Sequence, residues 1–175
     1  MKLAYSISFC LFLNISYSQD FYTYEKIDST LHAWQEIFGN TSHPSDDYDG
    51  FGVIYNLDTI GYSSQDNLPI YAVKLSAHAN IKEAQPRVLI LGQCHAEEIY
   101  GVEISMEIIN QFLHPEQFQG NRTFLQKGLY FTEIWIVPTY NPEGLRVVHG
   151  EVGNGIHDVT YRKNKRDTNY NDIFD

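Results

Sequence analysis

Residues 86–113 read PRVLILGQCHAEEIYGVEISMEIINQFL, and the change of hydrophobic period inside this stretch decides the fold class. Residues 87–91 form a nearly unbroken apolar run that Gly92 closes, the pattern of a parallel strand covered on both faces. Beyond it Ile99, Val102, Met106, Ile109 and Leu113 recur at helical spacing, with Glu97, Glu103, Glu107 and Asn110 as polar positions around them. An amphipathic helix is therefore expected directly after the strand. His95 and Glu98 then fall at the strand's carboxyl end. In open α/β sheets that edge binds ligands, because loops and helix starts converge there without having to fill the core.

His-x-x-Glu is a pair that can chelate. One helical turn brings residues three apart onto one face, so an imidazole nitrogen and a carboxylate oxygen reach one ion at the roughly 2.0 to 2.2 Å that zinc prefers. The bare pattern is more often a solvated pair. Its place at the end of a buried strand is what favours the metal.

At 175 residues, 43% of them hydrophobic and 14% aromatic, the chain is long enough for one domain with a sizeable core. Lys2, an apolar stretch over residues 3–15 and the small-x-small triplet Ser16-Tyr17-Ser18 form a secretory leader, which sets the expected mature start near Gln19. Export to a secreted or periplasmic location follows, with residues 1–18 as signal peptide and 19–175 as one domain. The apolar run is too short to span a bilayer, so no membrane span is expected after cleavage. Of the two cysteines, Cys10 lies in the leader, which leaves Cys94 without an internal disulfide partner. A formal charge of −10 argues against nucleic acid as a partner.

Along the chain, Ile27, Leu31, Trp34 and Phe38 predict a first helix over 24–38, ended by Gly39-Asn40. Residues 51–60 and 68–75 are rich in Val, Ile and Tyr and flank turn chemistry, so a hairpin is expected there. A short helix over 124–130 and an apolar strand over 132–139 follow. Asn141-Pro142-Glu143-Gly144 reads as a turn. Residues 147–159 are expected to be an irregular loop, and residues 161–166, YRKNKR, are strongly basic in an acidic protein.

Four signatures now stand in order: IYAVKLS closing the hairpin, GQCHAEE after one strand, TYNPEG after the next, and YRKNKR. Together they resemble the amino-terminal part of the zinc metallocarboxypeptidases of the carboxypeptidase A/B and D/E type, over about residues 24–166. The fold that this implies is α/β, a mixed and mostly parallel sheet with helices on both faces, incomplete at its carboxyl end. The implied activity is zinc-dependent removal of carboxyl-terminal residues from peptides. By resemblance, His95 and Glu98 are the first two zinc ligands, Arg162 lines the substrate channel with Asn164 beside it, and the arginine that polarises the scissile carbonyl falls on Lys165. Lysine keeps the charge but loses the planar fork, so either Lys165 acts as a point charge or Arg166 takes the role. Glu97 stands where many relatives have arginine. The third zinc ligand, the site for the substrate carboxylate and the catalytic glutamate would follow Asp175, so the chain is expected to be a piece of a longer enzyme. His78, His114, His149 and His157 are the alternative third ligands.

Rival readings rest on single features. CHAE contains the His-x-Glu of nucleobase deaminases, but no downstream Pro-Cys-x-x-Cys accompanies it. Cys94 is expected to be a small buried thiol rather than a ligand. Asp167, Asn169 and Asn171 space oxygens like the start of a calcium loop, without glycine at the sixth place. A noncatalytic peptide-binding relative and a zinc deacylase acting on N-acyl amino acids are the alternatives in function.

Overall fold

The computed structural model describes residues 21–44, 46–118, 120–152 and 156–166. The leader and the calcium-loop candidate lie outside them. Helix α1 (Tyr24–Phe38) opens the described chain, with the Thr23 hydroxyl accepting from the Lys26 amide at its start and Gly39 at its end. Strands β1 (Tyr55–Tyr62) and β2 (Pro69–Leu75) form the expected hairpin, with a bulge between Thr59 and Gly61. β3 (Arg87–Gln93) leads to α2 (Tyr100–Leu113), and α3 (Arg122–Phe131) leads to β4 (Glu133–Thr139). α4 (Pro142–His149) follows.

The sheet order is β1-β2-β4-β3. Two of its three pairings are antiparallel and only β3–β4 is parallel, which corrects the expectation of a mostly parallel sheet. The hairpin makes β1 run against β2, β4 is inserted against β2 in the opposite direction, and only the crossover through α2 and α3 sets a strand parallel to its neighbour, β4 beside β3. β3 also departs from its sequence reading. It is an edge strand among the described residues, and Leu89 and Leu91 are exposed by 63% and 53% instead of being covered on both faces.

Tyr71, Val73 and Leu75 of β2 share one core with Ile134 and Ile136 of β4, and alternate residues mark a single sheet face. α1, α2 and α3 bury Leu31, Met106, Ile109 and Leu129 in that same core. The described helices that feed this core thus gather on one face, not two.

α2 approaches β3 closely because Gly92 and Gly101 lack side chains. A Cβ at Gly92 would stand 2.2 Å from the Pro138 carbonyl and 2.5 Å from Ser105 Oγ, and one at Gly101 would stand 2.9 Å from the Gln93 amide. Gly92→Ala is expected to cost about 1–3 kcal/mol by forcing strand and helix apart. An unchanged urea midpoint would show that this approach is not tight.

The segment after α4 is anchored to α1. Arg146 Nε lies 3.2 Å from Glu25 Oε1, and its Nη2 donates to the Glu151 carbonyl at 2.9 Å. Burial, and after it a hydrogen bond shared with the Glu25 carboxyl, push the Glu151 carboxyl up to about 7, while Thr23 and Arg146 pull the other way. A carboxyl raised on folding stabilises fully below its ordinary value near 4.5, and that contribution is lost as pH rises through about 7. Melting temperature is therefore expected to fall over this window and Glu151→Gln to flatten the fall. A variant curve parallel to the parent's would contradict the shared proton.

Candidate metal site and substrate edge

A buried polar lattice sets the carboxyl ends of β3 and β4. Gln93, fully buried at the end of β3, donates through Nε2 to the Ala96 carbonyl at 3.0 Å and accepts from the Thr139 hydroxyl. Thr139 Oγ1 in turn accepts from the Asn141 amide at 3.1 Å. Asn141 Nδ2 donates to the Cys94 and Lys163 carbonyls, both at 3.2 Å, while its Oδ1 accepts from the Gly144 amide at 3.0 Å. One side chain thereby holds the turn after β3, the start of α4 and the basic segment together. The Ala96 amide donates to the Arg162 carbonyl at 3.2 Å and pins the segment a second time.

His95 and Glu98 sit on this support. They precede α2, in a turn closed by the Glu98 amide on the His95 carbonyl at 3.0 Å, and not on a continuous helix. The i, i+3 bond achieves what a helical turn would. His95 Nδ1 and Glu98 Oε1 face each other at 3.0 Å, with side chains 41% and 50% exposed. An imidazole nitrogen and a carboxylate oxygen converging on one point, open to solvent, fit two positions of a zinc site.

Arg162 spans the pair. Its Nη1 donates to Glu97 Oε1 and lies 3.8 Å from Glu98 Oε1, and its Nη2 is 3.2 Å from His95 Nε2. Burial works against the charge on Glu97, but its backbone hydrogen bond and Arg162 hold its carboxyl below the usual range. Asn164 has an exposed side chain, and its carbonyl accepts from the Tyr161 hydroxyl at 3.0 Å. Arg166 is exposed. Lys165 is directed elsewhere, with its Nζ on both oxygens of Asp66 at 2.6 and 2.8 Å.

Cys94 is a half-buried free thiol. Its hydrogen bond with Tyr140, followed by burial and the Glu98 charge, raises the Tyr140 hydroxyl above its ordinary value. The other histidines lie in separate places: His78 is 3.6 Å from Glu83, His114 is 3.4 Å from Glu116, His149 ends α4, and His157 packs against Gly150. Among the described residues no three His, Cys, Asp or Glu side chains group as a metal site.

Two features escaped the sequence. NPEG is the first turn of α4 and not an isolated turn; Asn141 caps it, Pro142 takes its first position, and Gly150 ends it with φ of +72°. The signal was present as Asn-Pro before Leu145, Val147 and Val148, with glycine at the end. Asp66 and Glu143, which anchor the basic segment, carried no local signal because their partners are distant in sequence.

The sequence pattern of the zinc carboxypeptidases, Peptidase M14, matches residues 51–174. The chain belongs to that family. A zinc carboxypeptidase of Saccharothrix mutabilis subsp. capreolus is 29% identical over 126 residues, covering 72% of this chain and 25% of that relative. Among solved structures, thrombin activatable fibrinolysis inhibitor superposes with a TM-score of 0.62 at 18% identity, over 88% of this chain and 32% of its own. Carboxypeptidase A from Helicoverpa armigera gives 0.63 at 17%, over 85% and 30%. At these identities the structural likeness is one of fold. The chain spans between a quarter and a third of the length of these relatives, and among its described residues no helix is long and apolar enough to cross a membrane.

Proposed function

We propose that this chain carries the first two zinc ligands and the substrate-channel cation of an exported zinc carboxypeptidase, an exopeptidase that removes carboxyl-terminal residues from peptides. The observation that carries the reading is the convergence of His95 Nδ1 and Glu98 Oε1 at 3.0 Å on the strand-end turn of a zinc carboxypeptidase fold. A catalytic zinc needs three protein ligands and an open position, so a third ligand joins these two from outside the described residues. Zinc held there supplies Lewis-acid polarisation of the scissile carbonyl.

The chain's own residues do the positioning. Glu97 holds Arg162 beside the pair, so its guanidinium, which has five donors, is placed to receive a peptide oxygen at the edge of the ligand turn. Asn164 offers an exposed amide on the same segment. Asn141 and Gln93 keep the ligand turn rigid, which a preorganised site requires. Peptide as the substrate class accords with one relative of this fold, bovine thrombin-activatable fibrinolysis inhibitor, having been solved in complex with tick carboxypeptidase inhibitor. The apolar leader over residues 1–18 directs the activity outside the cytoplasm.

His95→Ala, in the full polypeptide containing these residues, is expected to lose stoichiometric zinc by elemental analysis, and with it chelator-sensitive hydrolysis of carboxyl-terminal residues. Zinc retained at one equivalent by that variant would refute the ligand assignment. Zinc lost from the variant while the parent hydrolyses no peptide would instead leave a metal-binding relative without the chemistry.

A further inference from the structure

We propose that Lys165 is a staple held by Asp66, and that Arg162 is the cation which the basic segment presents to the substrate carbonyl. The second half of this statement rests on the peptidase reading above; the first does not.

Both residues lie in one basic segment, and their surroundings differ in kind. Lys165 Nζ donates to Asp66 Oδ1 at 2.6 Å and Oδ2 at 2.8 Å, and its side chain is 11% exposed. An ammonium has three donors, so two of them are spent on one carboxylate that also neutralises its charge. Asp66 is itself fixed. Its amide and that of Gln65 donate to Glu143 Oε1 at 2.7 and 2.8 Å, and Glu143 is buried on α4. Arg146, also on α4, brings Nη1 to 3.6 Å from Asp66 Oδ2. The turn between β1 and β2, the start of α4 and residue 165 are thus locked by a chain from carboxylate to amide and from carboxylate to ammonium. Freeing Lys165 for a developing oxyanion would leave Asp66 without its main counter-ion.

Arg162 is arranged in the opposite way. It is 57% exposed, with Nη1 on Glu97 Oε1 and Nη2 3.2 Å from His95 Nε2, which leaves part of its five-donor fork facing solvent beside the pair. Its planar fork can hold Glu97 through one nitrogen while another faces a peptide oxygen, which a lysine ammonium cannot do with the same geometry. Resemblance alone assigns the carbonyl-polarising role to Lys165, or to the exposed Arg166 beside it. In this chain Lys165 is tied to the hairpin, and the guanidinium three residues earlier stands at the ligand pair.

Two measurements on the full polypeptide test the proposal. In trace acylation with acetic anhydride followed by peptide mass spectrometry, Lys165 is expected to react at least about tenfold more slowly than exposed Lys163, and Asp66→Asn to bring it up to the Lys163 rate. Equal rates in the parent protein would overturn the staple, and no variant has to fold for that comparison. In steady-state hydrolysis of a peptide, R162M is expected to lower kcat at least about thirtyfold more than K165M, while K165M causes the larger fall in melting temperature. The reverse order in kcat would overturn the assignment of Arg162. A parent protein without hydrolysis sinks the peptidase reading, and the Arg162 role with it, while the acylation rates still decide the staple.

Discussion

Glu133→Gln is expected to destabilise the protein by about 3–5 kcal/mol, the range for removing one partner of a buried ion pair. Glu133 begins β4 with its side chain 3% exposed; Lys74 Nζ lies 3.1 Å from Oε1, and Arg87 Nε donates to Oε2 at 2.6 Å. Trp135 Nε1 adds a third donor at 3.4 Å. Burial raises the cost of the charge, but these hydrogen bonds outweigh it and hold the carboxyl down to about 2. Lys74 is the member that makes the substitution severe. It is almost fully buried on β2, and without Glu133 it is left with the Ile81 carbonyl at 2.6 Å to offset its charge. Arg87 lies half in solvent and keeps water as an alternative.

The same network predicts an acid limb. A carboxyl lowered on folding contributes stability that is complete above its ordinary value near 4.5 and is lost as pH falls toward about 2. Urea unfolding between pH 6 and pH 2.5 should show the parent losing stability over this range and Glu133→Gln losing much less. Joint replacement of Lys74 and Glu133 by Met and Leu is expected to recover most of the loss, since an apolar pair leaves no buried charge uncompensated. A double variant no more stable than Glu133→Gln would show that packing, and not charge, decides this site.

Asn141→Ala is the second large effect, about 2–4 kcal/mol, and its reach is wider than one helix. The side chain caps α4 through Gly144 and braces Cys94 and Lys163 through Nδ2. Loss of a cap costs typically about 1 kcal/mol, and each partly buried carbonyl left without its donor adds about 1 kcal/mol. Asn141→Ser separates the two contributions, because serine caps a helix well but supplies a single hydroxyl donor to two carbonyls. The expected order in urea midpoint is parent, then Ser, then Ala. Amide hydrogen exchange should also quicken at Ala96, whose bond to the Arg162 carbonyl depends on the same bracing. Equal stability of the Ser and Ala variants would remove the bracing role.

The elements of this protein were legible wherever a local period carried them. The helix expected over 24–38 is found at Tyr24–Phe38, and the strand ends, α2 and the hairpin lie within a few residues of expectation. Each of these rests on the side-chain spacing of a continuous run, which neighbours in sequence determine. The His95–Glu98 pair was legible for the same reason, since three residues and one turn suffice to bring the two together. Layer assignment was less so. An unbroken apolar run such as 87–91 states that a strand avoids water, but not which neighbours cover it, and β3 lies at an edge with Leu89 and Leu91 exposed among the described residues.

By itself, then, the sequence determined the α/β alternation, the hairpin and the place of the His95–Glu98 pair at a strand end, because short-range periodicity and turn chemistry encode all three, while the family resemblance came from four motifs standing in order. Only the tertiary structure decided that the sheet is largely antiparallel, that its described helices feed a core on one face, that Asn141 joins three segments, and that Lys165 is tied to Asp66, 99 residues away in the chain. The physical reason is common to these. An ion pair or a buried carbonyl depends on which distant groups the fold brings within about 3 Å, and no local pattern of residue types specifies that distance.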